Sequence, residues 1–120
     1  MGLMHVTVTL RIPGNAQHGY ESLFLVDSGA IDSMAPASQL MAAGFQPIGR
    51  SAYELVGGSV REYSFALAQI EFMGEVTAGR VIFGPDGSEP LLGVTALESV
   101  GIMLDPTTRT LRRLPAVPLK

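Results

Sequence analysis

The chain has 120 residues, two histidines, no cysteine, and eight basic against eleven acidic side chains for a net charge of −3. These counts exclude a disulfide framework, a thiol nucleophile and a thiolate metal site, and they leave no basic stripe for nucleic acid and no polybasic segment for a membrane surface. With 47% apolar residues the chain can bury the core of one domain, taken as residues 1–120.

His5 and His18 stand in no metal-ligand spacing, so neither a metal nor another cofactor is expected. Met1 to Leu10 lacks the basic start of a secretory signal, and Thr7, Thr9 and Arg11 break any apolar run. No stretch approaches the roughly 20 apolar residues of a membrane helix. A cytoplasmic location follows as the expectation.

Val6, Val8, Leu10 and Ile12 alternate with polar residues, which predicts a half-buried first strand. Pro13 to Gly19 reads as a turn-rich loop. Leu23-Phe24-Leu25-Val26 is short and apolar throughout, as in a strand buried on both faces, and it stops at Asp27-Ser28-Gly29-Ala30. A helix is predicted over Pro36 to Ala43, with Pro36 at its first position, Gly44 as its stop, and Leu40 and Met41 facing the core.

Tyr53 to Val56 and Val60 to Leu67 flank Gly57-Gly58-Ser59, a glycine-tipped hairpin signal. Apolar residues then change phase, from odd at Tyr63, Phe65 and Leu67 to even at Ile70 and Phe72, which predicts a bulge or a bend between sheets. Val76 to Phe83 reads as a strand, and Gly84 to Ser88 as a loop. Leu91-Leu92-Gly93 follows, and Thr95-Ala96-Leu97-Glu98 has the form of a capping box opening a helix that Gly101 closes. Ile102 to Leu104 and Thr110 to Leu114 are strands around the turn Asp105-Pro106-Thr107-Thr108. The expectation is an all-β fold with two short helices. Its two halves echo each other: an apolar strand, a glycine turn and a short helix occur at Asp27 to Gly44 and again at Leu92 to Gly101.

Most of the four aspartates and seven glutamates fall on polar faces or in turns. Asp27 differs. It follows four apolar residues, so its carboxylate leaves the end of a buried strand, and Ser28-Gly29 supplies a hydroxyl and a tightly turning backbone. Partial desolvation beside backbone N–H donors is the setting in which a carboxylate becomes chemically useful. Ser28 and Ser33 are poor nucleophile candidates, because no histidine is placed to activate them and no nucleophile elbow is present.

The segment Phe24-Leu25-Val26-Asp27-Ser28-Gly29-Ala30 resembles the active-site motif of retropepsin-like aspartic proteases, the retroviral type and its bacterial relatives. The resemblance continues in order through Met34-Ala35-Pro36 to Gly44-Phe45, a flap-like Val56-Gly57-Gly58-Ser59-Val60, and Leu91-Leu92-Gly93 with the helix after it. It covers roughly Val6 to Leu114. Serine stands in place of the commoner threonine after the aspartate, and the tail carries Arg112, Arg113 and two prolines, which departs from the terminal strands that clasp the retroviral dimer.

The resemblance implies a retropepsin-like barrel, a single-lobe subunit of a homodimer that hydrolyses peptide bonds. Two carboxylates sharing one proton would activate a water. Because this chain has one Asp-Ser-Gly and Leu91-Leu92-Gly93 in the place of a second, Asp27 would meet Asp27 of another copy. By the same resemblance Ser28 would bond across the dimer axis and Gly29 would receive substrate backbone. Ala30, Ile31 and Asp32 would line the substrate site, and Gly57, Gly58 and Ser59 would form a flap over an extended peptide. Leu92 and Gly93 would support the active-site loop from beneath. Ile31, Val60 and Val94 are the apolar candidates for pocket walls. Two other readings stay open: a catalytically inactive module of this fold that dimerises or binds extended peptides, and an unrelated β-barrel in which the triplet is an ordinary turn.

Overall fold

The computed structural model describes residues 4–105 and 107–119, with the backbone alone for Ala16 and His18. In chain order these form β1 (His5–Ile12), β2 (Asn15–Asp27), β3 (Ser33–Pro36), α1 (Ala37–Ala42), β4 (Gly49–Glu54) and β5 (Val60–Phe72). Then come β6 (Glu75–Gly84), β7 (Leu91–Gly93), α2 (Val94–Ser99), β8 (Ile102–Asp105) and β9 (Thr110–Arg113). The mainly β expectation holds.

Strands pair in the order β1-β2-β7-β3-β6-β5-β4, and a further β1–β5 pairing closes six of them into a barrel. Closure removes the open edges that a sheet of this length would otherwise present. β4 stays outside the ring as an edge strand on β5, and β8 and β9 form a separate antiparallel pair. Val8, Leu10, Phe24, Ala68, Ile70, Val81 and Leu92 fill the interior together with Leu40 and Leu97 from the helices. No helix among the described residues is long and apolar enough to cross a membrane.

Several expectations need correction. The loop expected from Pro13 to Gly19 shrinks to a turn at Pro13-Gly14, because β2 already begins at Asn15. The β1–β2 register slips from Arg11↔Gly19 to Ile12↔Asn15, so a bulge absorbs the extra residues. Backbone pairing beyond the core needs no apolar pattern, so side-chain chemistry gave no sign of it. The apolar run in β2 is buried on one face only. Phe24 and Val26 point into the barrel, while Leu23 is 56% exposed.

β5 has no bulge. Its ladders with β4, β6 and β1 run without a register shift. From Ala66 onward the inward face is the even one, with Ala66, Ala68, Ile70 and Phe72 all buried. The odd apolar residues lie on the opposite face, where neighbours partly cover Tyr63 and Phe65 while Leu67 is 50% exposed. A Cβ on Gly49 would sit 2.7 Å from the Phe65 ring, and the Arg80 guanidinium lies 4.0 Å above that ring.

α1 begins one residue later than expected, with Pro36 as its N-cap. Leu40 is buried as expected, but Met41 is 58% exposed. Gly44, at φ +98°, ends the helix, and Gly44 and Phe45 N–H donate back to Met41 and Leu40 carbonyls. Pro36 cannot cap the first turn with a side chain. Asp86 does so from the β6–β7 loop, accepting the Ser38 N–H at 2.9 Å. That bond holds the Asp86 carboxyl below its ordinary range. A lowered folded-state value stabilises the fold above the ordinary carboxylate range, and the gain disappears as pH falls through the lowered value. Asp86→Ala is therefore expected to lower Tm at neutral pH. The gap from the parent should narrow as pH drops below about 4. Melting curves of the two proteins between acid and neutral pH check this.

α2 starts at Val94, with Gly93 as N-cap and no side-chain cap. The capping box at Thr95 is not formed. Gly101, at φ +71°, closes the helix as expected. In the β8–β9 turn Asp105 accepts the Thr107 N–H at 2.9 Å, which lowers its pKa. Pro106 lies outside the described residues. Arg113 donates to Glu75 and to the Met73 carbonyl, joining the tail to the β5–β6 turn.

Candidate active site

Asp27 is the last residue of β2, which runs parallel to β7 with Val26↔Leu92 and Asp27↔Gly93 as partners. The two echoing segments therefore lie side by side, and glycine stands in one where the carboxylate stands in the other. After Asp27 the chain turns at once. The Ala30 N–H donates to the Asp27 carbonyl at 3.1 Å, and the Gly29 N–H donates to Asp27 Oδ1 at 2.9 Å. This is an Asx turn, in which the side chain mimics the backbone. A Cβ on Gly29 would lie 3.3 Å from that oxygen, so a side chain there would press on the carboxylate. Asp27 is half-buried and Ser28 exposed.

The remainder of the loop is lashed to the β7–α2 junction. Val94 and Thr95 N–H groups donate to the Ala30 and Ile31 carbonyls at 2.8 and 3.1 Å. Here is the reason that α2 has no side-chain cap: the loop carbonyls satisfy its first free donors. Buried Ser33 completes the junction, its Oγ accepting the Gly93 N–H at 3.0 Å. Leu92 is fully buried in the core beside Val26, and Gly93 lies directly against the loop backbone at Ile31 and Asp32.

Above the loop opens a cleft of about 570 Å³. Its walls include Asp27, Gly29, Ala30, Ile31 and Asp32 from the loop, Ala52 to Val56 and Tyr63 from the β4–β5 hairpin, and Ile82 and Leu91 from β6 and β7. Most of this surface is apolar. Ile31 is 67% exposed there, a large apolar side chain open to whatever enters. No family model matches this sequence, and no curated protein is significantly similar to it.

The structure thus brings together five of the residues singled out from the sequence: Asp27, Gly29, Ala30, Ile31 and Asp32. Ser28 sits on the outer side of the turn. Gly57, Gly58 and Ser59 lie further out, at the hairpin tip, and are not on the cleft wall. The tip is a tight turn in which Leu55 N–H donates to the Ser59 carbonyl and Gly58 N–H to the Leu55 carbonyl. Gly57 and Gly58 adopt φ of +97° and +90°, which is why glycine occupies both. Val60 and Val94 are also off the wall.

Tyr53, Leu55, Tyr63 and Ile82 join the cleft without having been singled out from the sequence as site residues, and Leu91 of the Leu91-Leu92-Gly93 element lines it as well. Tyr53 and Leu55 share one face of the hairpin by the period of two, a signal available in the sequence. Ile82 and Leu91 reach the cleft only through strand pairing. Asp32 does not stand as a solvated acid, since its Oδ2 accepts the Tyr53 hydroxyl at 2.6 Å. His5 bonds Glu89 at 2.6 Å, and the His18 side chain lies outside the described residues. Among the described residues no group of three His, Cys, Asp or Glu side chains is placed to hold a metal.

Proposed function

We propose that this chain is the subunit of a homodimeric, retropepsin-like aspartic endopeptidase in which the Asp27 carboxylates of two copies activate one water. The observation that carries this reading is the Asp27 turn: a half-buried carboxylate braced by a backbone N–H, at the floor of an apolar cleft, beneath a glycine-tipped hairpin. Gly93 opposite Asp27 in the ladder means that the echo within the chain supplies no second carboxylate. A two-fold axis through the loop supplies it from another copy.

In that dimer one carboxylate takes a proton from the water as its oxygen attacks the peptide carbonyl carbon. The other, carrying the shared proton, gives it to the carbonyl oxygen. Collapse of the tetrahedral diol breaks the C–N bond: the leaving amine takes a proton from one carboxyl while a diol hydroxyl gives its proton to the other, which restores the singly protonated dyad. Exposed Ser28 is free to bond across the axis. The substrate lies extended along the cleft, its apolar side chains against Ile31, Leu55, Val56, Ile82 and Leu91, while the hairpin excludes water.

The test is concentration dependence. Activity per subunit against a diverse peptide mixture, read by mass spectrometry at mildly acidic pH, should rise with protein concentration in step with dimer formation in sedimentation runs. A chain that cuts peptides as a strict monomer would contradict the shared-dyad mechanism. A folded dimer that binds extended peptides and cuts none would be the inactive module instead.

A further inference from the structure

The β4–β5 hairpin stands off the barrel. β4 has β5 as its neighbour at the end of the sheet, and the β5–β6 ladder ends at Phe65↔Ile82. Beyond that point the hairpin is held to the body by side chains, and elements held this way open at low free energy. At its root Arg80 donates to Ser51 Oγ at 2.6 Å and stacks on Phe65. Nearer the tip, Tyr53 donates to Asp32 Oδ2 at 2.6 Å, joining the hairpin to the loop that begins at Asp27.

Tyr53 is well set for this contact. It is half-buried, its ring lies 6.4 Å from that of Tyr63, and burial and then the Asp32 bond raise its hydroxyl pKa, against Arg80. The hydroxyl therefore stays a donor at neutral pH. Further out, the space beside Gly57 and Gly58 is open, and a Cβ on either would meet nothing within 4 Å, so packing at the tip adds no second restraint there.

We propose that Tyr53 is a positioning residue: its bond to Asp32 latches the glycine-tipped hairpin over the Asp27 loop in the free chain, and an extended peptide enters by giving Asp32 a backbone N–H in its place. This rests on the proposed function in taking the cleft as the peptide site. The latched and released hairpins are the two states, and the peptide favours release because it offers Asp32 a donor equivalent to the one displaced.

Tyr53→Phe keeps the ring and removes the hydroxyl. Native-state amide exchange at Leu55 and Gly58, followed by NMR, should quicken about tenfold, the size expected for losing a hydrogen bond to a charged acceptor. Asp32→Ala should quicken the same amides, and the double variant should be no faster than either single one. Unchanged exchange at the tip in Tyr53→Phe overturns the latch. With a peptide that is cut, Tyr53→Phe should lower KM severalfold while the effect on kcat is small, and a raised KM overturns the exchange of donors at Asp32. With a labelled peptide that is bound and not cut, the dissociation constant serves the same purpose. Tip exchange decides the latch whether or not any peptide is cleaved, whereas failure to cleave bears on the proposed function.

Discussion

Asp27→Asn is expected to leave the fold in place and to abolish peptide cleavage, with a loss of about 10³-fold or more, within the range for removing a general base. Asparagine has the same shape and keeps an oxygen for the Gly29 N–H, which Asp27 Oδ1 now accepts at 2.9 Å. It cannot take a proton from water or hold the one the dyad shares. The melting temperature and the dimer should therefore match the parent while cleavage disappears. With the dyad shared as proposed, an equilibrated equal mixture of parent and variant should show about half the activity per parental subunit, since mixed dimers would hold one carboxylate. Equal cutting by parent and variant would place the activity elsewhere.

Gly93→Val is expected to be the most damaging substitution for the fold. The backbone of Gly93 is ordinary extended chain, with φ of −84°, so left-handed geometry does not require glycine here. Space does. A Cβ would lie 2.6 Å from both the Ile31 carbonyl oxygen and the Asp32 carbonyl carbon. These are backbone atoms of the loop that α2 and Ser33 hold down, so they cannot swing away as a flexible side chain would. Forcing them apart breaks the loop-to-α2 hydrogen bonds and should cost about 3 kcal/mol or more, a large share of the 5–15 kcal/mol typical of a domain. Gly79→Ala is the control. Its Cβ would meet the Ile70 side chain at an ordinary 3.7 Å, so stability should be unchanged or slightly higher. Urea unfolding of both variants checks the pair. Near-parental stability in Gly93→Val would contradict the close approach of β7 to the loop.

The parts of this fold that are legible in the sequence are those encoded by neighbours along the chain. Alternation marks β1. Glycines with positive φ mark the stops at Gly44 and Gly101 and the tip at Gly57-Gly58. The Asp27 turn is readable because an Asx turn is built within three residues. β3 is not readable as a strand. Met34-Ala35-Pro36 has no alternation of its own, and it becomes a strand by parallel pairing with β6, a segment far away in sequence. α2 illustrates a local signal that tertiary contacts overrule: Thr95 and Glu98 have the spacing of a capping box, but loop carbonyls satisfy the helix donors instead.

The candidate site divides in the same way. Residue order along the chain determined that one carboxylate would leave a strand end beside a glycine turn, because apolar patterning and turn chemistry act over a few residues. Tertiary structure decided what that carboxylate faces. Parallel pairing of β7 with β2, a contact between distant segments, puts Gly93, not a second acid, opposite Asp27. The tertiary fold also carries the hairpin over the loop, where Tyr53 meets Asp32. Those partners are far apart in the chain, and their meeting depends on which strands pair and in what register, a cooperative outcome of burying the whole core that no local stretch of residues encodes.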